Sequence, residues 1–140
     1  MNNILHKTFS EVDLNDPFFQ SLRDDYPGFD DWFKRKSEQD AFVQYDDNHK
    51  IIGFLYLKME YNLVDDVTPN ISAKNILKVG TFKIEAHGTK MGEQFIKIIT
   101  DYAVNEDADI CYVTIYEKHN SLINLVQQFG FKLYGTKGTD

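Results

Sequence analysis

The sequence has only one cysteine in 140 residues. A single cysteine cannot form an internal disulfide, and this usage is typical of proteins kept in a reducing compartment, so we expect a cytoplasmic location. Cys111 lies within an apolar run, DICYVTIY. We therefore interpret it as a buried side chain and not as a nucleophile.

Long apolar runs and an excess of basic side chains are also missing. No stretch approaches the roughly twenty apolar residues that span a bilayer, and the opening MNNILHKTF lacks the pattern of a signal peptide, so we expect no membrane association.

Acidic side chains outnumber basic ones: the sequence has 15 Lys and Arg and 22 Asp and Glu, which gives a net charge of -7. Nucleic acid as the main partner is disfavoured, because phosphate backbones require a basic face, whereas a partner carrying an amine would suit an acidic protein.

The length predicts one domain over residues 1–140, large enough to bury its own core. Periodicity and turn residues predict the order of helices and strands. The predicted strands are residues 4–9, 41–47, 50–60, 76–85, 110–116 and 131–137, and the predicted helices are residues 17–26, 30–39 and 93–108. Residues 61–75, which include Pro69, are predicted to be a long irregular link.

The central part of the chain is the unit from Ile76 to Tyr116. Its first strand, ILKVGTFKIE, is followed by a loop with two glycines, HGTKMG, and then by a helical stripe. The apolar residues of that stripe are Met91, Phe95, Ile98, Ile99 and Tyr102. The mostly apolar run Ile110–Tyr116 then predicts a parallel strand covered on both faces.

The loop between that strand and helix has the composition of a phosphate site. The first amides of a helix lack intrahelical partners and lie at the positive end of its dipole, so a glycine-rich turn there is suited to phosphate. Gly88 and Gly92 allow a close backbone approach, while Thr89 and Lys90 add a hydroxyl and a positive charge. An ordinary tight turn with a surface lysine is the alternative.

The same loop carries a family resemblance. HGTKMG resembles the acyl-CoA pyrophosphate loop of the GNAT acetyltransferase superfamily, whose pattern is Arg or Gln, two residues, Gly, one residue, then Gly or Ala. His87 takes the first place and Gly92 the last, whereas Lys90 replaces the middle glycine. Downstream, HNSLINLVQQFGF resembles the family's second signature, a helix led by Asn that ends in Gly-Phe, here Gly130 and Phe131.

The resemblance implies an α/β (α+β) fold with a mixed, mostly antiparallel sheet of about six strands and helices on both faces. Its fourth and fifth strands would be the parallel pair, joined by its third helix. The family's seventh strand has no counterpart after residues 131–137. We therefore expect the chain to be part of a longer protein, or to receive a strand from a C-terminal domain or from a second copy in a homodimer.

Acetyl-CoA is the co-substrate that the resemblance implies, without a metal. Gly80, within the central strand, would mark the bulge of the family's fourth strand, although a glycine kept for local packing is the alternative. Beside it, backbone groups would bind the pantetheine amides as an added strand does. The residues expected to bind the cofactor are Phe82, Lys83, Ile84, His87, Gly88, Thr89, Lys90, Met91, Gly92, His119 and Asn120.

The catalytic residues are less defined by the resemblance. Acetyl transfer from a thioester needs an unprotonated amine, a partner for the oxyanion and an acid for the thiolate. Family members often use a tyrosine of the fourth helix as that acid, but alignment on Gly130 and Phe131 places Val126 there. Glu60 and Tyr116, at predicted strand ends, are the remaining candidates, and water is the alternative.

The sequence leaves three functional hypotheses to be tested. The first is an acyl-CoA-dependent N-acetyltransferase that acts on a primary amine of a small molecule or protein. The second is a catalytically degenerate acyl-CoA-binding or regulatory module of a larger protein. The third is a partner-binding domain without a nucleotide.

Overall fold

The main strands and helices follow one another along the chain in the order that the periodicity predicts. The structure, a computed structural model, describes residues 4–85 and 89–137, and of residues 89 and 90 it describes the backbone. The strands are β1 (Ile4–Thr8), β2 (Asp40–Tyr45), β3 (Ile51–Val64), β4 (Val67–Thr68), β5 (Ile71–Ile84), β6 (Ile110–Val113) and β7 (Thr136–Lys137). The helices are α1 (Gln20–Asp25), α2 (Phe29–Arg35), α3 (Thr89–Asn105) and α4 (Asn120–Gln128), with 3-10 turns at Phe9–Glu11 and Pro17–Phe19.

Five of the strands form one mixed sheet in the order β1-β2-β3-β5-β6. β1 and β2 pair antiparallel, as do β2 and β3, and β5 pairs parallel with β6 across the α3 crossover. β4 and β7 pair antiparallel in a separate two-stranded ribbon. The predicted α/β fold with a mainly antiparallel sheet and a parallel strand-helix-strand unit is confirmed.

The chain divides into two compact units, Met1–Tyr56 with Phe82–Ala86, and Leu57–Thr81 with His87–Asp140. The first unit is held by a cluster of aromatic rings that pack edge to face, as their quadrupoles favour. Phe9 lies 5.5 Å from Phe54 between ring centroids, and Phe19 lies 5.4 Å from Phe54. This aromatic core comprises Phe9, Phe18, Phe19, Phe29, Phe33, Phe54 and Tyr56. Most rings of the first two helices therefore belong to the core.

The turn before α1 carries two rings of the aromatic core, Phe18 and Phe19, and the Asp16 side chain holds this turn in place. Asp16 is buried, and its Oδ1 accepts a hydrogen bond from the Phe18 amide at 2.9 Å, as a cap does. Its Oδ2 accepts a second hydrogen bond, from the Ile51 amide, at 3.1 Å. Pro17 occupies the first helical position, where its missing N–H is not needed.

The predicted irregular link over residues 61–75 is wrong. β3 continues to Val64 and β5 begins at Ile71, so only β4 and two short turns intervene. Val64, Val67, Ile71 and Ile76 are buried together, with Ala73 and Tyr112 packed against them. Polar residues separate these apolar positions in the sequence, so their spacing did not indicate a strand. Burial of the shared apolar face stabilises the longer strands.

The predicted C-terminal strand over residues 131–137 is also wrong except at its end. Thr136 and Lys137 pair with β4 and not with the five-stranded sheet. A Cβ on Gly135 would overlap the carbonyl of Thr68, so the glycine permits this close approach. Leu133 is 87% exposed, because the segment before β7 does not pack its apolar side chain.

β6 differs from the predicted strand in length and in burial. It ends at Val113 instead of Tyr116, and Ile110 is 38% exposed. Within residues 4–85 and 89–137, β6 pairs only with β5, which makes it an edge strand. The apolar run therefore does not indicate burial on both faces here.

Candidate functional site

The candidate site lies where the parallel pair of strands ends. The β5–β6 register runs from Ile76 and Ile110 to Val79 and Val113. β5 continues to Ile84, while residues 114–116 are no longer part of a strand. In the described part of the chain, the two strands therefore part after Val79 and Val113, in the sense that their ladder ends there and later residues of β5 have no register partner in β6.

The turn between α3 and β6 fixes that register. The Asp109 amide donates to the Asn75 carbonyl at 2.8 Å, and the Asn75 amide donates to Asp109 Oδ2 at 3.0 Å. The Asn75 side-chain amide donates to the carbonyl of Asp107 at 3.1 Å, and Asp107 has a positive φ of 54°. Clamping Asn75 to this turn places Ile110 beside Ile76.

The start of α3 is the part of the predicted pyrophosphate loop that the structure describes. α3 begins at Thr89, and Met91 and Gly92 are buried. A Cβ on Gly92 would lie 2.8 Å from Cδ2 of Leu125 in α4, so this glycine permits close packing of the two helices. His87 and Gly88 lie outside the described residues, as do the side chains of Thr89 and Lys90.

The predicted helix stripe is confirmed in three of its five positions. Met91, Phe95 and Ile99 are buried, while Ile98 and Tyr102 are half-buried. Ile96 is buried as well, and the sequence interpretation missed it.

Two predicted site residues meet at the start of α4. His119 occupies the N-cap position, and its amide donates to the Tyr116 carbonyl at 3.0 Å. The rings of Tyr116 and His119 lie 6.3 Å apart, with Asn120 next at the first helical position. Tyr116 lies in the loop beyond β6 and not in the strand, because β6 ends at Val113.

α4 ends as the Gly-Phe signature predicts. Gly130 has a φ of 100°, its amide donates to the Gln127 carbonyl, and the Phe131 amide donates to the Val126 carbonyl. This pair of hydrogen bonds is the Schellman arrangement, which requires a residue with positive φ. Val126 is buried at 4% exposure, so an apolar side chain occupies the place of the family's acid.

Glu60 lies within β3 and not at its end, since β3 continues to Val64. Its Oε1 accepts a hydrogen bond from the Tyr112 hydroxyl at 2.5 Å. Burial raises the pKa of Tyr112, and the hydrogen bond to the Glu60 carboxylate raises it further. Tyr112 therefore remains a protonated donor to Glu60 at neutral pH.

Sequence reasoning missed Tyr112 and its strand neighbour Lys78. The two are register partners in the parallel ladder, so they share one face of the sheet. Burial lowers the pKa of Lys78, and Lys137 lowers it further, against the opposite effect of Glu60. The alternation in ILKVGTFKIE, which places Lys78 on the face of Ile76, is the signal that identifies it.

The predicted pantetheine-binding residues occupy the end of β5. Phe82 is buried, while Lys83 and Ile84 are half-buried. The Lys83 amine donates to the Phe18 carbonyl at 2.5 Å and lies 4.4 Å from the centroid of the Phe18 ring. The Lys83 side chain is thus engaged in the first unit, and the role predicted for Lys83 concerns its backbone.

Cys111 is half-buried in β6. Burial raises its pKa to about 11, so the side chain is a neutral thiol at neutral pH. This favours the interpretation of Cys111 as a structural residue.

Comparisons with known proteins identify the fold. No protein-family model matches the sequence, and no curated protein matches it. Among solved structures, the aminoglycoside N-acetyltransferase AAC(6')-Iy in complex with CoA is similar at a TM-score of 0.71 and 13% identity, over 100% of this chain and 92% of that chain. The aminoglycoside 6'-N-acetyltransferase AAC(6')-Ih from Acinetobacter baumannii has a TM-score of 0.67 and 13% identity, over 100% of both chains.

A ribosomal-protein-alanine N-acetyltransferase from Brucella melitensis biovar Abortus has a TM-score of 0.67 and 11% identity, over 99% of this chain and 100% of that chain. At these identities the likeness concerns the fold, which is the GNAT acetyltransferase fold. The family resemblance inferred from the two sequence signatures is confirmed at this level.

Among the described residues, no group of three or more His, Cys, Asp and Glu side chains is arranged to hold a metal ion. Within the same residues, the structure contains no helix of the length and hydropathy needed to cross a membrane.

Proposed function

We propose that the chain is an acyl-CoA-dependent N-acetyltransferase that transfers acetyl from acetyl-CoA to a primary amine of a small molecule or protein. The observation that carries this proposal is the parting of β5 and β6 after Val79 and Val113. Beyond that point the edge of β5 that faces away from β3 has no register partner in β6, so it can bind the amides of an extended arm as a strand would. A solved structure with this fold is a complex with CoA, which supports the same ligand here.

The start of α3 suits the pyrophosphate of that co-substrate. The helix begins at Thr89, and its first amides have no intrahelical acceptor. Those amides and the helix dipole stabilise an anion without help from any particular side chain. Lys90 in place of the family's glycine is therefore compatible with phosphate binding. We assign residues 87–92 to the pyrophosphate, and Phe82, Lys83, Ile84, His119 and Asn120 to the pantetheine arm.

Glu60 and Tyr116 are the proposed proton carriers. In a direct attack within a ternary complex, the acceptor amine loses a proton as it bonds to the carbonyl carbon, and the departing thiolate gains one. Tyr112 occupies one oxygen of Glu60, which leaves the other available for the amine proton. Tyr116, 45% exposed beside His119, is the candidate acid for the thiolate.

A catalytically degenerate acyl-CoA-binding module is the second candidate. Val126 favours it, because a buried valine cannot protonate the thiolate. The exposed edge at β6 also fits a larger assembly, in which a C-terminal domain or a second copy completes the sheet. We place either activity in the cytoplasm, with an amine-bearing acceptor and no nucleic acid.

Calorimetry and a thiol-release assay test these alternatives. We expect acetyl-CoA to bind with a one-to-one stoichiometry and an amine panel to produce free CoA. Binding without thiol release on any amine would favour the degenerate module. Absence of binding at millimolar acetyl-CoA would exclude both.

Glu60→Gln tests the proposed base separately. Glutamine can still accept the Tyr112 hydrogen bond but cannot take a proton, so we expect kcat to fall about 10²- to 10⁴-fold with acetyl-CoA affinity unchanged. Glu93→Gln, an exposed residue of α3, is the matched control. An unchanged kcat in Glu60→Gln would remove Glu60 from the mechanism.

A further inference from the structure

Lys78 is placed next to the point at which β5 and β6 part. Its register partner is Tyr112, and the following pair, Val79 with Val113, is the last of the ladder. Ile76, two residues earlier on the same face, is fully buried with Tyr112 packed against its cluster. The Lys78 stem is therefore half-buried on the face of the sheet that Tyr112 shares.

Four charged groups act on Lys78, and the two acidic ones have other partners. They are Lys58 and Glu60 on β3, Asp66 before β4, and Lys137 on β7. Glu60 accepts the Tyr112 hydroxyl, and Asp66 lies 3.5 Å from the Lys137 amine. Within residues 4–85 and 89–137, the structure gives Lys78 itself no hydrogen bond and no ion pair.

This environment disfavours the charged form of the amine. Burial lowers the pKa of Lys78, the charges of Lys137 and Lys58 lower it further, and Glu60 and Asp66 only partly oppose them. A neutral amine is the nucleophilic form of lysine. Each unit by which the pKa falls increases the neutral fraction about tenfold at a pH well below it.

An acyl donor bound at the proposed site would end near this amine. β5 runs five residues beyond Val79 to Ile84, about 16 Å at about 3.3 Å per residue. A donor held by its phosphates at the start of α3 and laid along the parting strands has its thioester at the inner end, beside Val79 and Val113. Lys78 precedes Val79 by one residue.

We propose that Lys78 is a self-acetylation site of this protein, which receives the acetyl group from acetyl-CoA bound where β5 and β6 part. This inference rests on the proposed function. The neutral Lys78 nitrogen bonds to the thioester carbonyl carbon, the C–S bond breaks, and the proton lost by nitrogen passes to the CoA thiolate. The products are Nε-acetyl-lysine at position 78 and free CoA, and no oxidant or metal is needed.

The test is peptide mass spectrometry of the full chain after incubation with acetyl-CoA at pH 8. We expect one acetyl group at Lys78, formed at least about tenfold faster than at Lys97, an exposed lysine of α3 paired with Asp101, because the bound donor is held beside Lys78. Lys78→Arg should lose this product, while Lys97→Arg should retain it. The wild-type measurement alone decides the site, so the test does not depend on the folding of either variant.

A small thioester, S-acetyl-N-acetylcysteamine, distinguishes acetylation by a donor bound at the site from acetylation that reflects only the reactivity of the Lys78 amine. Because this reagent lacks the nucleotide, we expect it to modify Lys78 at least about tenfold more slowly than acetyl-CoA at equal concentration. Equal rates would overturn the inference. If acetyl-CoA raises the melting temperature but leaves Lys78 unmodified, the inference is wrong and the proposed function stands; if acetyl-CoA does not bind, both are wrong.

Discussion

The aromatic core of the first unit and the C-terminal segment of the second unit bury their apolar side chains very differently. In the first unit, Phe9, Phe19 and Phe54 are at most 1% exposed within the aromatic core. In the second, Leu133, Tyr134 and Phe129 are 87%, 56% and 44% exposed, near the C-terminal end of the described chain. Apolar composition alone therefore does not tell a packed core from an accessible surface, and stability should depend far more on the first set than on the second.

Removing a ring from the aromatic core should have the largest effect. Phe54 is fully buried, and its ring lies within 5.5 Å of the rings of Phe9 and Phe19. We expect Phe54→Ala to lower the free energy of unfolding by about 3–5 kcal/mol, because the substitution loses apolar burial and leaves a cavity. Urea denaturation followed by circular dichroism measures this, and a loss below about 1 kcal/mol would show that the ring is not core.

Removing the buried carboxylate of the first unit should have the next largest effect. Asp16→Ala leaves the amides of Phe18 and Ile51 without their acceptor. We expect a loss of about 2–3 kcal/mol, since unsatisfied buried donors are penalised. Asp13→Ala is the control, because Asp13 is exposed and its carboxylate accepts a hydrogen bond from the nearby Asn15 amide. Equal losses in both variants would contradict the role of Asp16 as a buried link.

The second unit should show a distinct pH dependence through Cys111. Its pKa is raised from 9.0 to about 11 in the folded chain, so between these values the unfolded chain has lost a proton that the folded chain keeps. The contribution of Cys111 to the free energy of unfolding must therefore fall as pH rises from 9 to 11. We expect Cys111→Ala to flatten that fall in urea midpoints measured across this window. A slope identical to that of the wild type would mean that the thiol does not contribute.

Shortening the exposed leucine should have the smallest effect. Leu133 is 87% exposed, so Leu133→Ala removes little buried surface. We expect a change within about 0.5 kcal/mol, as for surface positions in general. A loss above 1 kcal/mol, appearing only at high protein concentration, would instead indicate that a second copy covers this residue.

Local signals predicted much of the architecture. The helical segment predicted from residue 17 begins at Pro17, and the strands predicted over residues 41–47 and 50–60 are present as β2 and β3, which pair antiparallel. The strand–loop–helix–strand unit and the Gly130 helix end are present too. Each of these depends on residues close together in sequence, which is why periodicity and capping identify them.

The candidate site was only partly predictable. Glu60 was predicted from the sequence, but its hydrogen bond to Tyr112 joins residues that are 52 positions apart. Lys78 was not singled out, because its burial depends on its strand partner and on β4 and β7 nearby. The assignment of residues 87–92 to phosphate remains a prediction that the calorimetry above tests.

The sequence by itself determined the order of the main helices, the glycine that ends α4, and that a parallel strand follows α3, because these properties arise from neighbouring residues. Only the tertiary structure decided that β6 is a short edge strand, that β3 and β5 extend into residues 61–75, and that the C-terminal strand pairs with β4. These outcomes depend on which distant apolar faces are buried together. The free energy of that burial is a property of the whole packed chain and not of any local pattern.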